Sequence, residues 1–543
     1  MPTVLTRRSF VVRLAGGATA LAGAPAILLA SRADADLVLR NGTVFDGLGA
    51  PGRERDVAIR DGRIVAVGPK LTLRGAREID LRGLALVPGF VDIHSHGDGS
   101  LSADPRAESL VRQGVTTIVV GADGGSRRPR RGSDGSTLPF ATLWSELDGV
   151  KPAVNVASMI GLGTVRGHVV GDANRPATAE ELARMVAIVE QALADGACGA
   201  STGLEYAPGA FATREELAAL CTPLARRGLA YATHMRNEDD RLLDSIDESI
   251  WVARTAGCKL QISHLKTQGP RNWPRLDEAF ARIDGAHRAG LDVAFDRYPY
   301  VAYQTGLSNM FPVWALDGGT RAFLERLGAA DTAARIRQET QAKSVLVGGW
   351  ENVQIANVRA AEDKGAEGAR LGARAASLGV DPYDYAVALL RRSEGSVGTV
   401  VFAMSEENLE RILAHPRGMV CSDGGAFAVE GAARRGHPHP RGLGTYPRVL
   451  GRYVRERKAL TLEEAVRKMT SLPASRAGLK DRGRLVVGAA ADVVAFDPAT
   501  VSDRATFAEP FQYPVGIELV VVNGGVSLEK GERGAATGAG LRV

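Results

Sequence analysis

Eight apolar runs of strand length recur along this chain, each followed by a longer segment with helical periodicity, and that alternation leaves few folds open. The runs cover 90–93, 116–120, 153–157, 197–201, 229–233, 259–263, 292–296 and 418–422. Apolar runs alternating with helical segments build a parallel sheet with crossover helices. Eight is the number that closes a (β/α)8 TIM-like barrel, a fold whose chemistry sits at the C-terminal ends of its strands.

Polar residues stand at those ends here. The first run delivers His94 and His96 with one residue between them, and alternate side chains of a strand share a face, so both can hold one metal ion through imidazole nitrogens. Taken alone, such a pair reads as readily as two hydrogen-bonded polar residues. Asp123 follows the second run, His234 the fifth, His264 the sixth and Asp423 the eighth, and four of the nine histidines of the chain occupy such positions. Together they make a candidate metal centre. A divalent ion held there lowers the pKa of bound water and polarises a scissile carbonyl. Asp423, the carboxylate ending the eighth run, is placed both to ligate and to act as general acid/base. No G-x-S-x-G nucleophile elbow competes, and Gly161-Leu-Gly-Thr lacks the helix context of a phosphate loop.

The constellation resembles the amidohydrolase superfamily, and further strings narrow the resemblance to its N-acyl-D-amino-acid deacylase (D-aminoacylase) branch. These are Gln113-Gly-Val-Thr-Thr, Ser201-Thr-Gly-Leu-Glu-Tyr, Ala232-Thr-His-Met-Arg-Asn-Glu, Gln261-Ile-Ser-His-Leu-Lys, Tyr298-Pro-Tyr, Met404-Ser-Glu-Glu and His437-Pro-His-Pro-Arg. The resemblance implies hydrolysis of an amide C–N bond in an N-acyl-(D-)amino acid, with one or two zinc ions held by His94, His96, Asp123, His234, His264 and Asp423. It also implies that Lys266, Tyr298 and Arg441 hold the substrate carboxylate, which cationic donors match by charge-assisted hydrogen bonds. The segment around Arg441 is too proline-rich to be read as helix, and His437 and His439 read as loop structure.

The chain departs from the branch in three places. Asp123 stands where the branch carries a metal-binding cysteine, and a carboxylate is a harder donor that admits manganese or another divalent ion beside zinc. The superfamily's bridging lysine on the fourth strand has no counterpart. Gln304 replaces a carboxylate-contacting serine. Cys198 reads as a core residue and Glu205 as a loop carboxylate. Rival readings are a dipeptidase, a hydantoinase- or dihydroorotase-like cyclic amidohydrolase, and an exported metal-binding protein without catalysis.

The remaining segments give organisation and location. Residues 36–86 alternate short strands with turns such as Asp61-Gly62, and 484–543 repeat that character, so both ends are expected in one small β-sandwich beside a barrel spanning 87–483. An insertion at about 305–400 carries charged helical stretches that suit a lid. Residues 1–35 resemble a twin-arginine signal: Thr6-Arg-Arg-Ser-Phe, a mild apolar run from Leu14 to Ala30 too weak for a stable membrane span, and the small-residue site Ala33-Asp-Ala35. The expectation is recognition by the twin-arginine export machinery and a periplasmic or secreted protein. Of the net charge of +5, Arg7, Arg8, Arg13 and Arg32 against Asp34 fall in that segment, and no basic stripe with aromatics points to nucleic acid. The four cysteines have no paired spacing and are expected as thiols.

Overall fold

The structure, a computed structural model, describes residues 33–126, 130–131 and 137–543. The twin-arginine string and the apolar run after it lie outside the described residues. Each apolar run holds one strand of a parallel ring: β1 (Phe90–Asp92), β2 (Val115–Val120), β3 (Asn155–Ser158), β4 (Gly199–Gly203), β5 (Ala230–His234), β6 (Lys259–Ile262), β7 (Val293–Arg297) and β8 (Gly418–Val420). Parallel ladders join β1 to β2 and β2 to β3, and run from β4 through β8. Beyond Met159 the third strand resumes as Ile160–Gly161, which pairs with β4. The ring closes just past the strand ends, where the Asp423 N–H donates to His94 O and the His96 N–H to Gly424 O, both at 2.8 Å. Asp92 reinforces that seam by accepting the Ser422 N–H at 2.8 Å.

The strands read as continuous apolar runs because helices cover their outer face, leaving neither side to water. All six residues of β2 are buried. The helix Ala179–Ala194 shows how the outer layer is specified. Thr178 accepts the Glu181 N–H while the Glu181 carboxylate accepts the Thr178 N–H, a reciprocal capping box. Met185, Val189, Ala192 and Leu193 then repeat at helical spacing to bury one stripe.

Both chain ends meet in one nine-stranded sheet beside the ring. Its seam is the antiparallel pair Ala85–Pro88 and Val493–Phe496. The predicted turn is there: Asp61 and Gly62 have φ of 50° and 71°, the left-handed pair that a two-residue hairpin requires. The insertion between β7 and β8 carries the expected helices, among them Ala333–Leu346 and Pro382–Arg392. It also contains a three-stranded antiparallel sheet of Ala302–Gly306, Val397–Phe402 and Val353–Val358, which the sequence reading did not anticipate.

Candidate active site

The ring brings all six predicted ligands to one place. His234 ends β5, and the others lie two to four residues past their strands on the turns that leave the barrel. Three of those turns are left-handed: φ is 51° at Asp123, 36° at His264 and 49° at Asp423. Aspartate tolerates this region, but for histidine it costs on the order of 1–2 kcal/mol. Asp296 on β7 holds the His264 turn by accepting its N–H at 2.7 Å.

Asp123 lies between two groups of side chains. One comprises His94, His96, Asp123 and Asp423, the other Asp123, His234 and His264, with the ligand atoms of each group within 4.8 Å of one another. His94 Nε2 is 3.3 Å from Asp123 Oδ1, His96 Nε2 is 3.1 Å from Asp423 Oδ1, and His234 Nδ1 is 3.0 Å from His264 Nε2. Both His94 Nε2 and Asp123 Oδ1 are buried and make no hydrogen bond. Buried polar atoms without partners are rare, and these face each other across the point where the cluster converges. The imidazole and carboxylate donors suit zinc or another divalent ion.

Charge is concentrated here. Burial disfavours an imidazolium at His94, yet the Asp123 and Asp423 carboxylates more than offset it and raise its pKa well above the ordinary value. His96 is pushed up to about 9 by the same carboxylates against the same burial cost. Burial would raise Asp123 and Asp423, but the imidazoles hold Asp123 low, and the Arg441 guanidinium, then the imidazoles, hold Asp423 low. Protons thus balance the carboxylates, and a divalent ion binds here by displacing them.

Lys266, Tyr298 and Arg441 line the same cavity, of about 720 Å³. They do not play equal parts. Tyr298 Oη and Arg441 Nε are buried donors without partners. Lys266 Nζ is committed to Glu238 Oε2 and His264 Nδ1, both at 2.6 Å, because Glu238, four residues past His234, turns back toward it. It therefore supports His264, and the third N–H of its ammonium remains for a substrate carboxylate in the cavity that it lines. Arg441 Nη1 donates to Asp423 Oδ2 at 2.6 Å. Its backbone corrects the loop reading: Arg441 begins the helix Arg441–Arg448, which Pro440 precedes at the N-cap. Proline there removes no helical hydrogen bond.

His439 is loop structure with a task, accepting the Arg441 N–H on Nδ1 at 3.0 Å. Gln304 Oε1 accepts the His439 N–H at 3.0 Å. Cys198 is buried just before β4, and desolvation pushes its thiol up to about 12.

The sequence reading missed other cavity residues. Glu205, taken as a loop carboxylate, lies 3.4 Å from His234 Nε2. Glu238, Tyr303 and Asn309 also line the cavity, and Asp296 stands 3.5 Å from His94 Nδ1. Glu238 lies within the quoted string Ala232-Thr-His-Met-Arg-Asn-Glu, which is the signal that could have found it. Tyr303 and Asn309 come from the insertion, which thereby walls the cavity.

Comparison with known proteins agrees with this geometry. Residues 77–299 and 432–527 match the model of a family described as "Amidohydrolase family". The chain is 38% identical to N-acyl-D-glutamate deacylase of Alcaligenes xylosoxydans xylosoxydans, over 90% of this chain and 93% of that protein. It is 36% identical to the D-aminoacylase of the same organism over the same shares. Among solved structures it is similar to N-acyl-D-glutamate deacylase from Bordetella bronchiseptica, complexed with zinc and a phosphonate mimic of the tetrahedral intermediate. The TM-score is 0.80 at 35% identity, covering 94% of this chain and all (100%) of that one.

Proposed function

The chain belongs to the D-aminoacylase branch of the amidohydrolase family, and from that membership we propose that it hydrolyses the amide bond of N-acyl-D-amino acids with a divalent ion, zinc, at the barrel mouth. His94, His96, Asp123 and Asp423 would hold one ion, and Asp123, His234 and His264 a second. When bound, the ion supplies Lewis acidity toward the scissile carbonyl and acidifies water.

The observation that carries the reading is the pair of unpartnered donors beside the ligand cluster, Tyr298 Oη and Arg441 Nε. A buried donor without a partner costs about 1–3 kcal/mol. A substrate carboxylate removes that cost and fixes the amide over Asp423. Asp423, held ionised by Arg441, accepts the proton of the attacking water on a carboxylate oxygen and returns it to the leaving nitrogen. A free carboxylate on the substrate separates this reading from that of a cyclic amidohydrolase.

The test is release of amino acid from matched N-acetyl-D- and L-amino acids, with dipeptides and hydantoins as comparators, with and without chelator. Turnover should favour the D-series and vanish with chelator. Asp423→Asn should lower kcat by at least ~10²-fold while metal content is kept. Preferential opening of hydantoins, or near-normal turnover by Asp423→Asn, would overturn the assignment.

We also infer export of the folded chain to the periplasm or beyond by the twin-arginine machinery, which Arg7, Arg8 and the run from Leu14 to Ala30 support. No helix among the described residues is long and apolar enough to cross a membrane. Replacing Arg7 and Arg8 by lysine should retain the protein in the cytoplasm, and unchanged export would refute the inference.

A further inference from the structure

At the other end of the barrel a second cavity, of about 780 Å³, opens beneath the N-terminal ends of β5 and β6. Leu229 immediately precedes β5 and Lys259 begins β6, so this cavity lies one strand length from His234 and His264. Every charged side chain along it is cationic: Arg227, Lys259, Arg467, Lys480, Arg482 and Arg484. Three of these have carboxylate partners. Arg482 pairs with Asp492, Arg467 with Glu464 at 2.8 Å, and Lys259 with Asp292 at 3.9 Å. Arg227, Lys480 and Arg484 have none among the described residues. Arg227 donates to Leu193 O at 2.8 Å and Arg484 to Lys480 O, so both guanidiniums are held in place by backbone without being neutralised.

A concave surface whose charged side chains share one sign focuses its field and concentrates counter-ions. Guanidinium forks together with an ammonium can engage the three terminal oxygens of a phosphate, where a carboxylate offers two. The volume lies within the range of small-molecule sites, and Leu472 and Leu479 give the cavity an apolar wall. We propose that this cavity binds a phosphorylated small molecule with at least two negative charges, its phosphates on Arg227, Lys480 and Arg484 and its apolar part on Leu472 and Leu479. The site is separate from the amide-hydrolysing centre and does not depend on what that centre acts on.

The experiment titrates inorganic triphosphate and ATP into the full chain by calorimetry, with citrate as a carboxylate of similar charge and anionic phospholipid vesicles as a lipid source. One saturable site per chain is expected for the phosphates. Affinity should fall by at least about tenfold in Lys480→Glu/Arg484→Glu, where several charge-assisted hydrogen bonds are lost, while the circular dichroism spectrum and amide hydrolysis stay unchanged. Should that double variant fail to fold, Lys480→Gln/Arg484→Gln serves the same purpose. Vesicle binding that is lost in the variant, without binding of soluble phosphates, would support the phosphate site and assign it to a lipid headgroup. Absence of saturable binding, equal affinity for citrate and triphosphate, or an affinity indifferent to the charge reversal would each overturn the proposal.

Discussion

Arg441 donates through Nη1 to Asp423 while its Nε is buried without a partner, so under the proposed function one guanidinium would answer to two carboxylates, one of the protein and one of the substrate. Arg441→Met should therefore do more than weaken binding. KM for an acyl-amino acid should rise relative to its uncharged amide by about 1.5–3 kcal/mol, the usual worth of a hydrogen bond to a charged group. The Asp423 pKa, released from its cation, should rise, and the acid limb of kcat/KM should move to higher pH. An unmoved limb would mean that Arg441 does not govern Asp423. Asp123 gives a test of the metal itself. Asp123→Ala should lower metal stoichiometry, whereas Asp123→Cys should retain metal and shift preference toward zinc over manganese, read by elemental analysis after competition. Asp123 and Asp423 were legible as strand-end carboxylates because the barrel strands could be counted. Glu238 was not, and Asp296, although it ends the seventh run, showed no task, since what gives them meaning is a neighbour about thirty residues away, Lys266 in one case and His264 in the other.

The helix Leu462–Met469 packs under β8 and carries an element-level test in Lys468, a fully buried lysine whose ammonium donates to the carbonyls of His415 and, at 2.9 Å, Gly418. Desolvation lowers its pKa to about 8, with Glu464 only partly opposing. Below pH 8 the folded and unfolded chains both carry the charge, and the folded state bears the full cost of burying it. As pH climbs from about 8 toward the unfolded value of 10.5, the folded chain sheds its proton first and this cost is relieved, by up to ~3 kcal/mol. Lys468→Met should flatten that alkaline gain in denaturation midpoints compared with the wild-type chain, and an identical pH profile would refute the assignment. At this scale the eight barrel strands were readable to within two residues because helices cover them outside and apolar side chains dominate them. The strands of the insertion were not, since segments such as Ala302–Gly306, Ala-Tyr-Gln-Thr-Gly, are half-buried and show no clear alternation. The helix at Arg441 was misread because Pro438 and Pro440, which interrupt the histidines before it, suggest a loop, although Pro440 stands at the N-cap, where it removes no helical hydrogen bond.

Across the whole molecule, five of the six candidate ligands stand on turns beyond the strands and His234 at the end of one, while the core that joins the ring to its helices is made of residues such as Val115, Ile118 and Leu260, none of them a candidate ligand. Removal of metal by chelator should then abolish hydrolysis and leave the far-ultraviolet circular dichroism spectrum unchanged. Tm should fall only by the binding contribution, about 2.7 kcal/mol at a hundredfold excess of ion over Kd. Loss of secondary structure on chelation would show instead that the ion holds the fold. The sheet beside the barrel has another consequence, one of timing. Ala85–Pro88 finds its partner in Val493–Phe496, and the ion pair between Arg77 and Glu529 spans 452 positions of the chain. Contacts this far apart in sequence close late and slowly. A ribosome releases the strands from Ala35 to Pro88 early enough to pair with one another, but Ala85–Pro88 must wait for nearly the whole polypeptide before its other edge has a partner, so a chain cut short anywhere before Val493 leaves that edge open.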